Sequence, residues 1–437
     1  MAEFLRRFFQ LDAHGTTVRR EVVAGVTTFV TMAYIIVVNP AILSAAKIPA
    51  GPSMVATILT AVFGTLLMGF FARRPFAIAP YMGENAFIAY TVVVGLGYTW
   101  QQALASVFLA GVLFILLTVA RVRQWLVEGV PAGLRYSFAV GVGLFMTFIG
   151  LNETGIVRLG VEGAPVRMGA FTSAPVLISL LGFVLIVAMM ILKLRGAMLL
   201  GVLATAAIAF ATGVAQAPDA WLSAPPSLAP IFWQLDFSAL WSVGFLAVML
   251  TTFVMAFVDT MGTLIGVSAR AGFLDAEGNL PQIERPMLAD ALATTFAAAV
   301  GTTTAGAYIE SATGVEAGGR TGLTAIVTAL LFLLALFFAP VVAAIPPQAY
   351  GPALIVVGLL MVSPITRVNF DDLTELVPAF ATVALMSFSF NIGVGMTAGF
   401  VLYPFCKLVA GRAREIKPGL WVLFALSLLF YAFYPYR

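Results

Sequence analysis

Acidic residues stand inside long apolar stretches of this chain. Asp259 lies in FVDTMGT (257–263), Glu310 in AYIESATG (307–314) and Glu84 in PYMGENA (80–86). A charge at membrane depth is costly and is tolerated where it faces protein or a water-filled cavity. An ionised carboxylate only accepts hydrogen bonds, so such a site suits a ligand edge rich in N–H donors. A carboxylate can also take up and release a proton. Asp259 and Glu310 are therefore the candidates for proton coupling. Asp259, Glu310 and Glu84 are the candidates for substrate contact, and Asn85, Tyr81, Tyr308, Ser311 and Thr263 stand near them in the chain. The chemistry implied is reversible binding and proton transfer. No nucleophile stands beside a base, so nothing points to an enzyme. With one His (His14) and one Cys (Cys406), no transition-metal cluster or internal disulfide can be built, and no cofactor is called for.

The elements carrying these residues must be irregular. Residues 301–325 read GTTTAGAYIESATGVEAGGRTGLTA. Three threonines crowd the start and five later glycines interrupt the rest, so no simple spanning helix fits. Broken backbone at membrane depth is tolerated where it is buried in protein or lines a cavity. The expectation is an extended piece near 305–308, followed by a half-helix from about Glu310 whose N-terminal end faces a ligand. Residues 74–86 read RPFAIAPYMGENA, where Pro75 and Pro80 prevent a continuous helix. The extended pieces 77–80 and 305–308 are expected to lie side by side. Glu84 and Glu310 would then approach one cavity. Asn39–Pro40 is expected to end the first helix, and Asp371, Asp372, Glu375, Asp275, Glu277 and Glu284 read as solvated loops. Gly318–Gly322 lacks the Lys and spacing of a phosphate-binding loop.

The whole chain is built for a membrane. Of 437 residues, 61% are hydrophobic and 10% charged, and mean hydropathy is +1.03; a soluble domain is about a quarter charged. The net charge of +3 gives no case for nucleic acid. Fourteen apolar runs are expected to span or half-span, the first near 22–43, the third near 76–95, the eighth near 240–267 and the tenth near 305–319. The first is read as an uncleaved helix. A fifteenth run, 420–434, either spans or lies against the bundle. Lys and Arg fall on alternate connections, including Arg6, Arg7, Arg19, Arg20, Arg73, Arg74, Arg121, Arg123 and Lys407. The opposite connections hold Lys47, Arg158 and Arg167, and Arg437 depends on the last run. This bias places the N-terminus in the cytoplasm.

The halves repeat weakly. Thr27–Thr28–Phe29–Val30 recurs at 251–254, and Glu84–Asn85–Ala86 is echoed by Glu310–Ser311–Ala312. Both matches fall on the same ordinal run of each seven. An odd number of crossings makes the second copy inverted, and inverted repeats with broken helices in matching positions point to a transporter with its site between them. The expected organisation is a first repeat over 1–214, a connection over 215–237, a second repeat over 238–410, and a C-terminal apolar segment over 411–437.

These motifs resemble the nucleobase–cation symporters, in their azaguanine-resistance branch of purine permeases. The resemblance rests on 28–35 with Val38–Asn39–Pro40, on 80–86, on Asp259–Thr260–Met261–Gly262–Thr263, and on 307–311 through 318–324. It implies an all-α polytopic fold of about fourteen helices in two inverted sevens, with short paired strands in helices three and ten. It further implies core parts (22–120 and 240–340) and gate parts (133–214 and 351–410). The family's substrate-binding acids would fall on Asp259 and Glu310, and its helix-three asparagine on Asn85. The implied function is proton-coupled import of purine bases, with guanine, hypoxanthine and adenine as candidates, across a plasma membrane, the cytoplasmic membrane in a bacterium. A homodimer is compatible with it. Tyr81 and Tyr308 are candidates to stack on the base. A xanthine or uracil carrier on the same fold is the alternative, and an inorganic-anion carrier ranks lower because the midmembrane charges are acidic. The chain departs from the pattern of many relatives at Tyr81 (glycine), Glu84 (leucine) and Ala256 (an acid). At Thr263 it departs from the pyrimidine-type relatives, which place histidine there.

Overall fold

The computed structural model describes residues 2–120, 130–161, 164–275, 280–389 and 391–433. Arg121, Arg123, Glu277, Tyr434 and Arg437 lie outside the described residues. After a short helix, Ala2–Phe8, come α1 (Val18–Ser44), α2 (Ala50–Ala72), β1 (Ile78–Pro80), α3 (82–95), α4 (Trp100–Val119) and α5 (Ala132–Glu153). A hairpin follows, β2 (Val157–Val161) and β3 (Ala164–Met168), then α6 (Ala174–Ile191) and α7 (Ala197–Ala211). The second half holds α8 (Val243–Ala271), α9 (Glu284–Val300), β4 (Ala305–Ala307), α10 (Ser311–Glu316), α11 (Gly322–Ala344), α12 (Pro347–Val362), α13 (Leu373–Phe388), α14 (Ile392–Val409) and α15 (Pro418–Phe433). Among the described residues nine helices are long and apolar enough to cross a membrane. The hairpin is an element that the apolar runs do not reveal.

The helices associate in two groups. α1, α2, α4, α8, α9, α10 and α11 pack around the strands, whereas α5, α6, α7, α12, α13 and α14 pack on one another. α3 touches α4 on one side and α5 and α14 on the other. The last apolar run forms α15, which lies against α14 and α8, with the Tyr431 hydroxyl donating to Val394 C=O (2.8 Å).

At the centre, β1 and β4 pair antiparallel, Ile78 opposite Ala307 and Pro80 opposite Ala305. Tyr308 N–H to Ala77 C=O (2.9 Å) and Tyr81 N–H to Thr304 C=O (3.0 Å) extend the ladder. A two-stranded island in a membrane has two outer edges that water cannot satisfy. Threonines do so. Ile78 donates its N–H to Thr65 Oγ1 (2.9 Å) and accepts from the same hydroxyl (3.1 Å). Ala305 does the same with Thr294 of α9 (3.2 and 2.8 Å). Gly301, at φ +99°, ends α9 in the left-handed conformation and turns the chain into β4. Each buried group left unpaired costs about 1–3 kcal/mol. Thr294→Val is therefore expected to melt well below the parent protein in detergent, and Thr294→Ser close to it. Equal melting of the valine and serine variants would show that the hydroxyl is dispensable.

Two sequence expectations need correction. Pro40 does not end a helix. The break in α1 comes earlier, at Ala33–Tyr34, and Ile35–Ser44 runs on through Pro40. A proline in a buried segment is tolerated where neighbouring helices re-satisfy the backbone. Nor are Asp372 and Glu375 solvated loop residues. The fully buried Lys407 ammonium lies 2.8 Å from Glu375 and 2.9 Å from Glu415, and Arg412 lies 2.6 Å from Asp372. Hydrogen bonds from Thr374 and Arg412 hold the Asp372 carboxyl well below the usual carboxylate range. Another buried acid, Glu21, ties α1 to the start of α11. It accepts from the N–H of Arg320 (2.9 Å), Thr321 (3.2 Å) and Thr324 (3.2 Å), and from the hydroxyls of Thr321 (2.9 Å) and Thr324 (2.6 Å). It thereby supplies acceptors for a helix N-terminus that would otherwise be orphaned.

Candidate functional site

The strand pair delivers two tyrosines to one place. Tyr81 follows β1 and Tyr308 follows β4, and their rings lie nearly parallel (7°) with centroids 6.2 Å apart. Both rings are anchored at the hydroxyl, Tyr81 against Thr260 of α8 (3.2 Å) and Tyr308 by donating to Pro80 C=O. Gly306 makes room for this, since a Cβ there would run into the Tyr81 ring.

Glu310 is half-buried at the start of α10. Its carboxylate accepts from the Tyr34 hydroxyl of α1 (2.6 Å). α10 has six residues, and the Glu310 side chain makes no capping bond to it. Glu84 is fully buried on α3, and no hydrogen-bond donor reaches its carboxyl oxygens. Asp259 of α8 is its electrostatic neighbour. Tyr308 lies within electrostatic reach of both Glu84 and Glu310.

Asp259 is half-buried, on a face of α8 that continues through Gly262, Thr263 and Gly266. A Cβ at Gly262 or Gly266 would meet nothing within 4 Å. Ile309, beside Glu310, is 60% exposed. A carboxylate facing open space at this depth implies water in that space.

Asn85 and Ser311 are bonded into the frame around the strands. Asn85 is fully buried and donates to Asn39 Oδ1, while Asn39 donates to Thr57 (2.7 Å) and Thr302 (3.0 Å). Ser311 Oγ accepts from Ala77 N–H (3.0 Å) and locks α10 to the strand pair. The structure thus brings Tyr81, Tyr308, Glu84, Asp259 and Glu310 together, sets Thr263 one turn along the open face, and uses Asn85 and Ser311 as framework.

The Permease family profile matches residues 19–402. The chain belongs to this family. The permease is 40% identical over 429 residues to the adenine permease AdeP of Escherichia coli, covering 98% of this chain and 96% of that one. It is 39% identical over 440 residues to the guanine/hypoxanthine permease PbuG of Bacillus subtilis, covering 98% and 100%. Among solved structures, the transmembrane domain of the cyanobacterial bicarbonate transporter BicA shares the fold, with TM-score 0.66 at 16% identity, covering 87% of this chain and 96% of that one.

One residue of the permease escapes the sequence reading. Asp290 is fully buried in α9, and its Oδ2 accepts from Ala307 N–H (3.0 Å) on the outer edge of β4. Its Oδ1 has no hydrogen-bond partner. The signal was present, an acid within the run 286–302, and it belongs with Asp259, Glu84 and Glu310.

Proposed function

We propose that this permease imports purine bases by proton symport, binding the base beside the paired strands between the tyrosines and the acids of α8 and α10. The observation that carries this is the pairing of anchored aromatic rings with half-buried carboxylates facing open space. A planar heterocycle stacks on a ring, and its N–H donors meet acceptor-only groups. Guanine presents N1–H and its 2-amino group side by side, a match for one carboxylate. The names of the relatives, adenine and guanine/hypoxanthine permeases, support the same class. In this reading Asp259, Glu310, Glu84, Tyr81, Tyr308 and Thr263 touch or face the substrate, Asn85 and Ser311 hold the frame, and Asp259 with Glu310 manages the proton.

The reading includes fourteen crossings in two inverted sevens, with the N-terminus in the cytoplasm of a plasma membrane. The like roles of Thr65 in the second helix and Thr294 in the ninth support the repeat. The strand-bearing group of helices forms the carrying core, and α5–α7 with α12–α14 forms the gate.

Uptake of radiolabelled base into cells lacking their own permeases tests the substrate. Unlabelled guanine, hypoxanthine and adenine are expected to compete, and uracil and xanthine to leave uptake unchanged. Competition by uracil alone would replace the purine reading with the pyrimidine one. A bicarbonate-type anion is disfavoured, because the side chains bonded around the strands are carboxylates and hydroxyls.

A further inference from the structure

The open space beside Asp259 has a direction. From Asp259 the bare face of α8 runs through Gly262 and Gly266 towards the α8–α9 connection. Arg74 reaches that connection, donating to Pro281 C=O (2.7 Å), and its neighbour Arg73 lies over Phe8 of the N-terminal helix. The uncovered face of α8 thus runs towards the N-terminal end.

The opposite end, beside the β2–β3 hairpin, is closed where α3 meets α5. Gly83 packs so tightly on Val142 that a Cβ would approach its side chain to 2.6 Å. Two turns further, the Tyr90 ring stands edge-on to Phe145, with centroids 6.4 Å apart. Glu153, the last residue of α5, accepts from the Tyr350 hydroxyl of α12 (3.1 Å). That carboxylate is also within electrostatic reach of Tyr90. The contact joins the two helix groups, since Tyr90 leaves the strand pair on α3, whereas Phe145, Glu153 and Tyr350 sit in the other group. The corresponding half-helix of the second repeat, α10, packs instead on α1 and α8, and Ile309 before it is exposed.

We propose that Tyr90 is the gate residue of the hairpin end, seated on Phe145 near the Glu153 carboxylate that Tyr350 holds, and that release of this contact admits substrate from that side. The proposal rests on the two-part reading of the helices above and on no particular substrate. Alternating access requires that one end open as the other closes, so breaking one seal moves the population in a fixed direction.

Thiol labelling in proteoliposomes tests it without any transport substrate. In a Cys406→Ser background, Val142→Cys reports the hairpin end and Gly266→Cys the open end, each labelled by a membrane-impermeant reagent applied to its own side. Tyr90→Ala is expected to speed labelling at Val142→Cys roughly tenfold, the effect of losing an aromatic pair, and to slow labelling at Gly266→Cys. Tyr350→Phe should move both rates the same way by less. Unchanged labelling at Val142→Cys in Tyr90→Ala overturns the gate. Faster labelling at both reporters also overturns it, because that is the signature of a merely loosened fold. Failure of purine uptake in the parent protein would reject the substrate reading and leave these rates untouched.

Discussion

Glu310→Gln is expected to abolish purine uptake while the protein still reaches the membrane. The change preserves size and shape, so packing at the start of α10 should survive, as should the bond from Tyr34, because an amide oxygen also accepts. What is lost is the charge and one acceptor. Where the carboxylate met two N–H groups of a base, the amide turns an NH2 towards one of them. A hydrogen bond to a charged group contributes about 1.5–3 kcal/mol, and two of them together predict a loss on the order of a hundredfold or more in kcat/KM. Tyr34→Phe separates the charge from its support. Glu310 stays available there but loses its fixed orientation (2.6 Å in the parent), so KM should rise about tenfold with uptake retained. Normal high-affinity uptake by Glu310→Gln would remove this residue from the site.

How much of this could be read from the chain depended on whether the signal was local. The broken stretches were legible because proline and glycine act on their own backbone: Pro75 and Pro80 on one side and the glycines from Gly306 to Gly322 on the other forced non-helical backbone at membrane depth. The strand pair follows from the same argument and is seen at Ile78–Pro80 and Ala305–Ala307. The partners of the acids were not legible. Tyr34 and Glu310 are far apart in sequence, and so are Glu21 and the start of α11; no periodicity links them. Thr65 and Thr294 looked like ordinary small residues in apolar helices, and only the strand edges reveal why a hydroxyl is needed. Asp290 was hidden for a different reason. It sits among alanines in α9, in a helix with no break to draw attention to it. Asp372 and Glu375 misled because a loop-like composition says nothing of a buried lysine arriving from another helix.

Asp259→Asn is expected to uncouple transport, so that exchange of base across the membrane survives and accumulation against a gradient fails. The residues available for proton coupling are few. His14 lies ahead of α1, which removes the side chain that ordinarily titrates near neutrality, and arginine stays protonated. Carboxylates remain. Glu310 has Tyr34 as a donor to its charged form. Asp290 has Ala307 N–H and is fully buried. Glu84 is fully buried. Asp259 alone of the four combines a half-buried position on the open face of α8 with a second carboxyl beside it, and a proton on either group relieves the repulsion between them. On the proposed proton-symport reading it would load a proton from the more acidic side, favour binding of the base, and release both on the other side. Asparagine cannot cycle, but it keeps the size and one acceptor, so binding and exchange persist. The measurements are counterflow of labelled base and pH-driven accumulation in the same proteoliposomes, with a protonophore and a sodium-free buffer as controls. Undiminished pH-driven accumulation by Asp259→Asn would reject the residue. Sodium dependence in the parent protein, with initial uptake indifferent to the protonophore, would reject the proton itself.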